Sequence, residues 1–173
     1  MAIDLGTAST IIAVKGRGVV LDEPSLVAIN EISEEIVAFG QEAGDMAGRE
    51  GRDVVVRAPL IGGVVGDFER TKKMLAHFVK KARTGGSNLS LQAVMSMVSD
   101  VTQVEQRALL NAAEESHIGK VFMMEEALAA AFGAGVLPPD KRASAIIEIG
   151  SAAMLDAVVA KGNVITSTSE RYG

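Results

Sequence analysis

Two stretches near opposite ends of this chain repeat one pattern. AIDLGTASTIIAV begins at Ala2, and IIEIGSAAMLDAV begins at Ile146. Each joins an apolar run, one acid, an apolar residue, glycine, a hydroxyl residue, small residues and a second apolar run. A tight turn between two apolar strands predicts a β-hairpin. The fold therefore has to contain two hairpins of the same kind, and the second copy has fewer hydroxyl residues.

The repeated turn suits the binding of phosphate. Backbone N–H groups in a tight turn face an anion, glycine lets the backbone approach closely, and Thr7 or Ser151 adds a hydroxyl donor. The acids, Asp4 and Glu148, would hold the water shell of a Mg²⁺ ion, which keeps its waters and takes only one or two carboxylates. Two facing hairpins would clamp the phosphates of a nucleotide. The alternative for either copy alone is an ordinary hairpin without a ligand.

Composition limits the classes of function. The chain has 173 residues, is 48% hydrophobic and carries a net charge of −5, which suits one compact domain, or a domain with a small annex. The absence of cysteine excludes disulfides and thiolate metal sites. No apolar run reaches the ~18 residues of a membrane span, and no signal segment opens the chain, so we expect a cytoplasmic protein. The acidic balance argues against nucleic acid as a partner.

Strand and helix patterns alternate along the chain. Three strands are predicted first, the third over 19–30, followed by a polar, glycine-interrupted segment that we interpret as a small insertion. Asp67 is placed to cap a helix, and Thr102 with Glu105 forms a capping box before another helix. Strands alternating with helices predict an α/β fold with a mixed sheet and covering helices.

The opening AIDLGTASTIIAVKGRGVVLDEPSLVAIN resembles that of MreB, the bacterial actin family, whose sequences are close to IDLGTANT, VKGRG and NEPSVVAIN. VSDVTQVEQRALLNAAEESH and MMEEALAAAFGAGV are similar to the family's PSGITEVERRAVRDAAE and IEEPLAAAIGAG. The resemblance implies an RNase H-like mixed five-stranded sheet with flanking helices, the first lobe of the actin and sugar kinase fold. It divides the chain into a main subdomain at 1–30 and 60–173 and a small inserted subdomain at 31–59.

The resemblance also implies site residues. Glu126 matches the residue that positions the attacking water in the family, although an acid in the first turn of a helix is stabilised by about 0.3–1 kcal/mol without any function. Asp4 and Glu148 match the acids that act on the metal through water. The cofactor-binding residues of the two hairpins are Asp4, Gly6, Thr7, Ala8, Ser9, Glu148, Gly150 and Ser151.

Several loops depart from the family's pattern. The second hairpin, approximately DIGGGTT in the family, reads EIGSAAM, so Glu148 is one methylene longer and both threonine hydroxyls are lost. If Ser151 and Ala152 need a positive φ, each Cβ costs on the order of 1 kcal/mol. The PSG loop has become VSD, whose Asp100 would repel a triphosphate. Gly62 and Ala127 replace an Asp and a Pro. We therefore expect binding of ATP and Mg²⁺ to be weak or lost and hydrolysis to be absent.

The family continues into a second lobe that supplies the adenosine pocket, and this sequence stops before it. Three functions remain: a noncatalytic cytoskeletal module that contacts filaments or their regulators, an ATP-binding filament subunit in cell-shape determination, or half of a split actin. The partners expected are actin-like filament subunits, a second-lobe chain or further copies of this chain. The sequence lacks the amphipathic N-terminal helix that some MreB proteins use on membranes, so direct membrane binding is left open and is not predicted. We also expect the two hairpins to come from adjacent strands of one sheet and to face a common cleft.

Overall fold

The computed structural model describes residues 1–49, 51–83, 91–136 and 142–172. Its four helices are α1 (Gly40–Met46), α2 (Phe68–Ala82), α3 (Gln103–Glu114) and α4 (Glu126–Gly133). Its strands are β1 (Ala2–Leu5), β2 (Ser9–Val14), β3 (Gly18–Pro24), β4 (Val27–Asn30), β5 (Ile36–Phe39), β6 (Val54–Arg57), β7 (Leu60–Ile61), β8 (Val64–Val65), β9 (Gln92–Met97), β10 (Lys120–Glu125), β11 (Ser144–Ile149), β12 (Ala153–Ala160) and β13 (Asn163–Arg171). No helix in these described ranges is long and apolar enough to span a membrane.

The main sheet has five strands in the order β10-β9-β1-β2-β3. β10, β9 and β1 run parallel, whereas β1, β2 and β3 form an antiparallel meander. The alternation of strands and helices along the sequence predicts this mixed sheet, and the prediction is confirmed.

The core of the molecule lies between the main sheet and helices α2 and α3. Phe78, Met74 and Leu75 of α2 are fully buried, together with Ile12 and Met95 of the sheet. Their helical spacing on α2 places them on one face, so the helix covers the sheet with its apolar side. The capping box of α3 forms as predicted, with Thr102 accepting from the Glu105 N–H and Glu105 accepting from the Thr102 N–H.

The third strand of the predicted meander is in fact two strands. β3 ends at Pro24 and β4 begins at Val27, where the chain leaves the main sheet and pairs with β5 and β6 in a small sheet next to α1. The break has a local cause, because Pro24 lacks an N–H and the Ser25 hydroxyl bonds the Gly6 carbonyl oxygen across the turn. The division of the chain at residues 30 and 60 stays a prediction.

The repeated hairpins do not share a sheet, so that prediction is wrong. The first hairpin joins β1 and β2 of the main sheet, whereas the second joins β11 and β12 of a separate antiparallel sheet in the order β11-β12-β13. Helix α4 contacts both sheets, and its buried Ala127 packs against Leu155 and Ala157. The repeated sequence motif specifies two similar hairpins but does not determine which strands they pair with.

Asp67 caps α2, as the sequence predicts, and accepts from the Arg70 N–H at 3.0 Å. Asp67→Ala is expected to lower the free energy of unfolding by about 1 kcal/mol, because one N–H of the first turn loses its acceptor. Asp67→Asn keeps an acceptor oxygen and should recover most of that loss in urea denaturation. Equal losses in the two variants would show that the ion pair with Arg70, and not the cap, stabilises this end.

Candidate functional site: two hairpins facing one cleft

The first hairpin closes through one short backbone contact. The Gly6 N–H donates to the Ser9 carbonyl oxygen at 3.0 Å, and a Cβ at Gly6 would lie 3.0 Å from the same oxygen. This is tighter than side chains normally tolerate, so the turn requires glycine for close approach.

The second hairpin closes in the same way. The Gly150 N–H donates to the Ala153 carbonyl oxygen at 2.9 Å, and a Cβ at Gly150 would lie 3.1 Å from that oxygen. Neither Ser151 nor Ala152 has a positive φ. The strain considered for these two positions is therefore absent, and the second turn keeps the backbone form of the first despite its altered side chains.

Buried hydroxyl groups stabilise the first hairpin through hydrogen bonds. Ser25 Oγ donates to the Gly6 carbonyl oxygen at 2.6 Å and lies 2.8 Å from Thr10 Oγ1, and both side chains are fully buried. Thr7 Oγ1 accepts from the Gly63 N–H at 2.8 Å. Because this bond uses an oxygen lone pair, the Thr7 hydroxyl proton is left to donate to a ligand.

The second hairpin has a support of its own. The Tyr172 hydroxyl lies 2.9 Å from the Gly150 carbonyl oxygen and 3.1 Å from the Ala153 carbonyl oxygen, and it donates to this pair. Sequence reasoning missed Ser25, Thr10, Gly63 and Tyr172, because each acts on a turn through a contact that no local motif marks.

Both hairpins line one cleft of about 160 Å³, as predicted. All eight residues predicted to bind a cofactor lie on it, together with Glu126, Gly63 and Val98. Ligand sites for whole drug-sized molecules usually enclose about 300–1,000 Å³. The cleft therefore matches a phosphate group better than an entire nucleotide.

Three acids, Asp4, Glu126 and Glu148, line the cleft. Asp4 accepts from Ser96 Oγ at 2.8 Å. Burial, the charge of Glu148 and a hydrogen bond between the two carboxyl groups raise the pKa of Glu126 from 4.5 to about 8, and Asp4 adds to the rise. At neutral pH Glu126 is therefore mainly protonated.

A hydrated cation fits this donor set. Glu148 Oε2 is buried and has no hydrogen-bond partner within the described part of the chain, which leaves a carboxylate oxygen for a cation or its water. In the same part of the chain, no three His, Cys, Asp or Glu side chains are grouped to hold a metal ion. Contact through water from Asp4 and Glu148 is the arrangement that these residues allow.

Asp100, the acid in the VSD loop, does not face the cleft. The expected repulsion between this residue and a triphosphate is therefore wrong. Val98 lines the cleft, but the Asp100 carboxylate turns toward β13 and accepts from the Ser169 N–H at 3.2 Å. The negative charge at position 100 therefore contacts the second sheet and not the cleft.

A second and larger cavity of about 610 Å³ lies beside the acids, and sequence reasoning did not find it. It is a mostly apolar groove between α4 and the uncovered face of the main sheet. Its lining includes Ile11, Val94, Met124, Ala130 and Phe132, with Asp4, Glu126 and Glu148 at one end. Phe132 is 56% exposed there.

A mixed sheet with one such hairpin, faced by a second hairpin of the same turn, places the chain in the actin-like class. The crystal structure of MreB5 of Spiroplasma citri bound to ADP is similar, with a TM-score of 0.88 and 34% identity over 98% of this chain and 51% of that one. The MamK double helical filament, at 20% identity and a TM-score of 0.77, shares the fold.

The chain belongs to the MreB/Mbl protein family, whose sequence model matches residues 1–173. It is 39% identical to the cell shape-determining protein Mbl of Bacillus subtilis, over 98% of this chain and 51% of that protein. It is 37% identical to the cell shape-determining protein MreB of Escherichia coli, over 100% of this chain and 51% of that protein. The chain thus spans about half the length of the relatives it matches.

Proposed function

We propose that the chain is a noncatalytic module of a cell-shape cytoskeleton, which acts through protein contacts and keeps a weakened phosphate cleft. Its relatives are named as cell shape-determining proteins. The noncatalytic part is supported by the burial of Glu126 beside Glu148, which raises the pKa of Glu126 to about 8.

The raised pKa of Glu126 opposes hydrolysis for a chemical reason. A carboxyl group that orients and activates water has to offer a free acceptor oxygen and a suitable pKa. Burial and the neighbouring Glu148 instead raise the pKa of Glu126 to about 8, so Glu126 is mainly protonated at neutral pH and is a poor acceptor for a proton of water. A Mg²⁺ ion, when bound, supplies charge that balances the phosphates. Asp4 and Glu148 are the residues that would hold its water shell.

Phosphate release from Mg-ATP tests this proposal. The purified chain is expected to show no turnover above the buffer background, and Glu126→Ala should leave the result unchanged. A full-length relative of the family serves as the positive control for the assay. Turnover in this chain that disappears in Glu126→Ala would contradict the noncatalytic assignment.

A second candidate is an ATP-binding filament subunit, and the matching turns at Gly6 and Gly150 favour it. Similar MreB5 structures are bound to ADP and to AMPPNP. Sedimentation of the chain with and without Mg-ATP separates the candidates, since only this one predicts a pellet that depends on nucleotide.

A third candidate is one half of a protein completed by a separate second-lobe chain. The outer face of the β11-β12-β13 sheet favours it, because Ile147, Ile149 and Ile165 are 68%, 75% and 64% exposed. Apolar surface of this kind is normally covered. Co-purification with a polypeptide matching the other half of the relatives would support this candidate over self-association.

A further inference from the structure

The contact between the main sheet and the second sheet is made partly by small side chains of helix α4. Helix α4 lies between them, and the side chains it buries are Ala127 and Ala131, both fully inaccessible. Methyl groups make shallow ridges, so packing of α4 against β12 resists sliding or rotation less than interlocking large side chains would. The relative position of the two sheets therefore needs a second constraint.

Polar contacts supply that constraint at the end of β13. Asp100 Oδ2 accepts from the Ser169 N–H at 3.2 Å and lies 3.3 Å from Ser169 Oγ, which is also 3.1 Å from the Ser99 carbonyl oxygen. Asp100 has a φ of 63°, a region that residues other than glycine adopt at a cost. Its contacts with Ser169 offset that cost.

A second contact, the ion pair between Arg171 and Glu105, lies two residues further along β13. Arg171 Nη1 donates to Glu105 Oε1 at 2.8 Å, and a Cβ at Gly62 would lie 3.1 Å from Arg171 Cδ. The Arg171 side chain thus crosses Gly62, where the family has an aspartate, to reach α3. The hydrogen bond from Arg171, with the bond from the Thr102 N–H, lowers the pKa of Glu105 to about 2.

The anchored residues connect directly to the second hairpin. In the β12-β13 ladder, Ala153 is opposite Arg171 and Leu155 is opposite Ser169. The next residue, Tyr172, donates to the carbonyl oxygens of the turn. Fixing Ser169 to Asp100 and Arg171 to Glu105 therefore fixes the turn at Gly150.

We infer that Asp100 and Arg171 are positioning residues that hold the second hairpin at a set distance from the first and so determine the width of the phosphate cleft. The link between this width and ligand affinity rests on the proposed phosphate site. The positioning itself does not depend on a ligand.

The lack of cysteine allows a direct test by spin labelling. Val19→Cys on the main sheet and Ile165→Cys on the second sheet provide two label sites that are 62% and 64% exposed. Pulsed electron paramagnetic resonance on this double variant, without nucleotide, is expected to give one narrow distance distribution. Adding Asp100→Ala or Arg171→Ala should broaden or shift it.

Matched variants separate the hydrogen bonds from other effects. Asp100→Asn keeps an acceptor oxygen for the Ser169 N–H and should preserve the narrow distribution. Asp100→Gly relaxes the left-handed backbone but removes the acceptor, so it should broaden the distribution like alanine. Glu170→Ala is the control, because this exposed neighbour of Arg171 lies on the opposite face of β13. Circular dichroism checks that each variant is folded. Glu105→Gln removes the charge that pairs with Arg171 and should broaden the distribution, while its amide oxygen can still accept from the Thr102 N–H of the capping box.

Unchanged distributions in Asp100→Ala, Arg171→Ala and Glu105→Gln would overturn the inference, as would broadening in Glu170→Ala equal to theirs. Titration with Mg-ATP then addresses the site itself. We expect affinity about fivefold weaker in Asp100→Ala, the order of one hydrogen bond. Broadening in the alanine variants without nucleotide binding by any chain would support the positioning role and overturn the phosphate site.

Discussion

Replacement of Phe78 with alanine is expected to lower the free energy of unfolding by about 3–5 kcal/mol, the range for a buried phenylalanine that leaves a cavity. Phe78 is fully buried in the main core, and its ring lies against Gly40 and beside His77. Urea denaturation of the purified chain measures the loss. In a thermal scan the melting temperature should fall by about 10 °C.

Phe132→Ala is the matched control for this prediction. It removes the same side chain from a position that is 56% exposed, so its effect should stay within about 0.5 kcal/mol. Equal losses in the two variants would contradict the placement of Phe78 in the core and of Phe132 at the surface.

Glu126→Gln is expected to remove a pH dependence from the stability of the chain. The pKa of Glu126 is raised from 4.5 to about 8 in the folded state, so folding favours its protonated form. That contribution is complete below pH 4.5, where the unfolded chain is protonated too, and is lost progressively as the pH rises to about 8. After allowance for solvent screening, the loss amounts to about 2 kcal/mol in the wild type and should be absent in the glutamine variant.

Urea denaturation at pH 5, 6.5 and 8 measures this difference. Glu125→Gln is the control, since it removes one acid from the exposed neighbouring position without touching the pair with Glu148. A wild-type chain whose stability does not fall between pH 5 and pH 8 relative to Glu126→Gln would contradict the raised pKa of Glu126.

The hairpins and helix caps could be predicted because their causes are local. Gly6 and Gly150 close their own turns, and Asp67 and Thr102 cap helices that begin at the next residue. The departure of the chain from the main sheet after Pro24 was missed, because a run of β-branched residues does not show where a strand changes partners. Membership of the second hairpin in a separate sheet was missed for the same reason.

The site shows the same division between local and distant causes. The lining residues followed from the repeated motif, but their interactions did not. Asp100 accepts a hydrogen bond from Ser169, which is 69 positions away in the sequence. This contact turns the Asp100 carboxylate away from the cleft, where the sequence analysis expected it. The Glu126 and Glu148 pair depends on the approach of α4 to β11, which no pattern in either segment encodes.

The buried hydroxyl pair of Ser25 and Thr10 fixes the shape of the first turn before any ligand arrives. In the proposed phosphate site, an incoming anion would therefore meet N–H donors that are already preorganised, and little conformational entropy would be lost on binding. Association at this hairpin then depends on diffusion and charge more than on rearrangement of the loop.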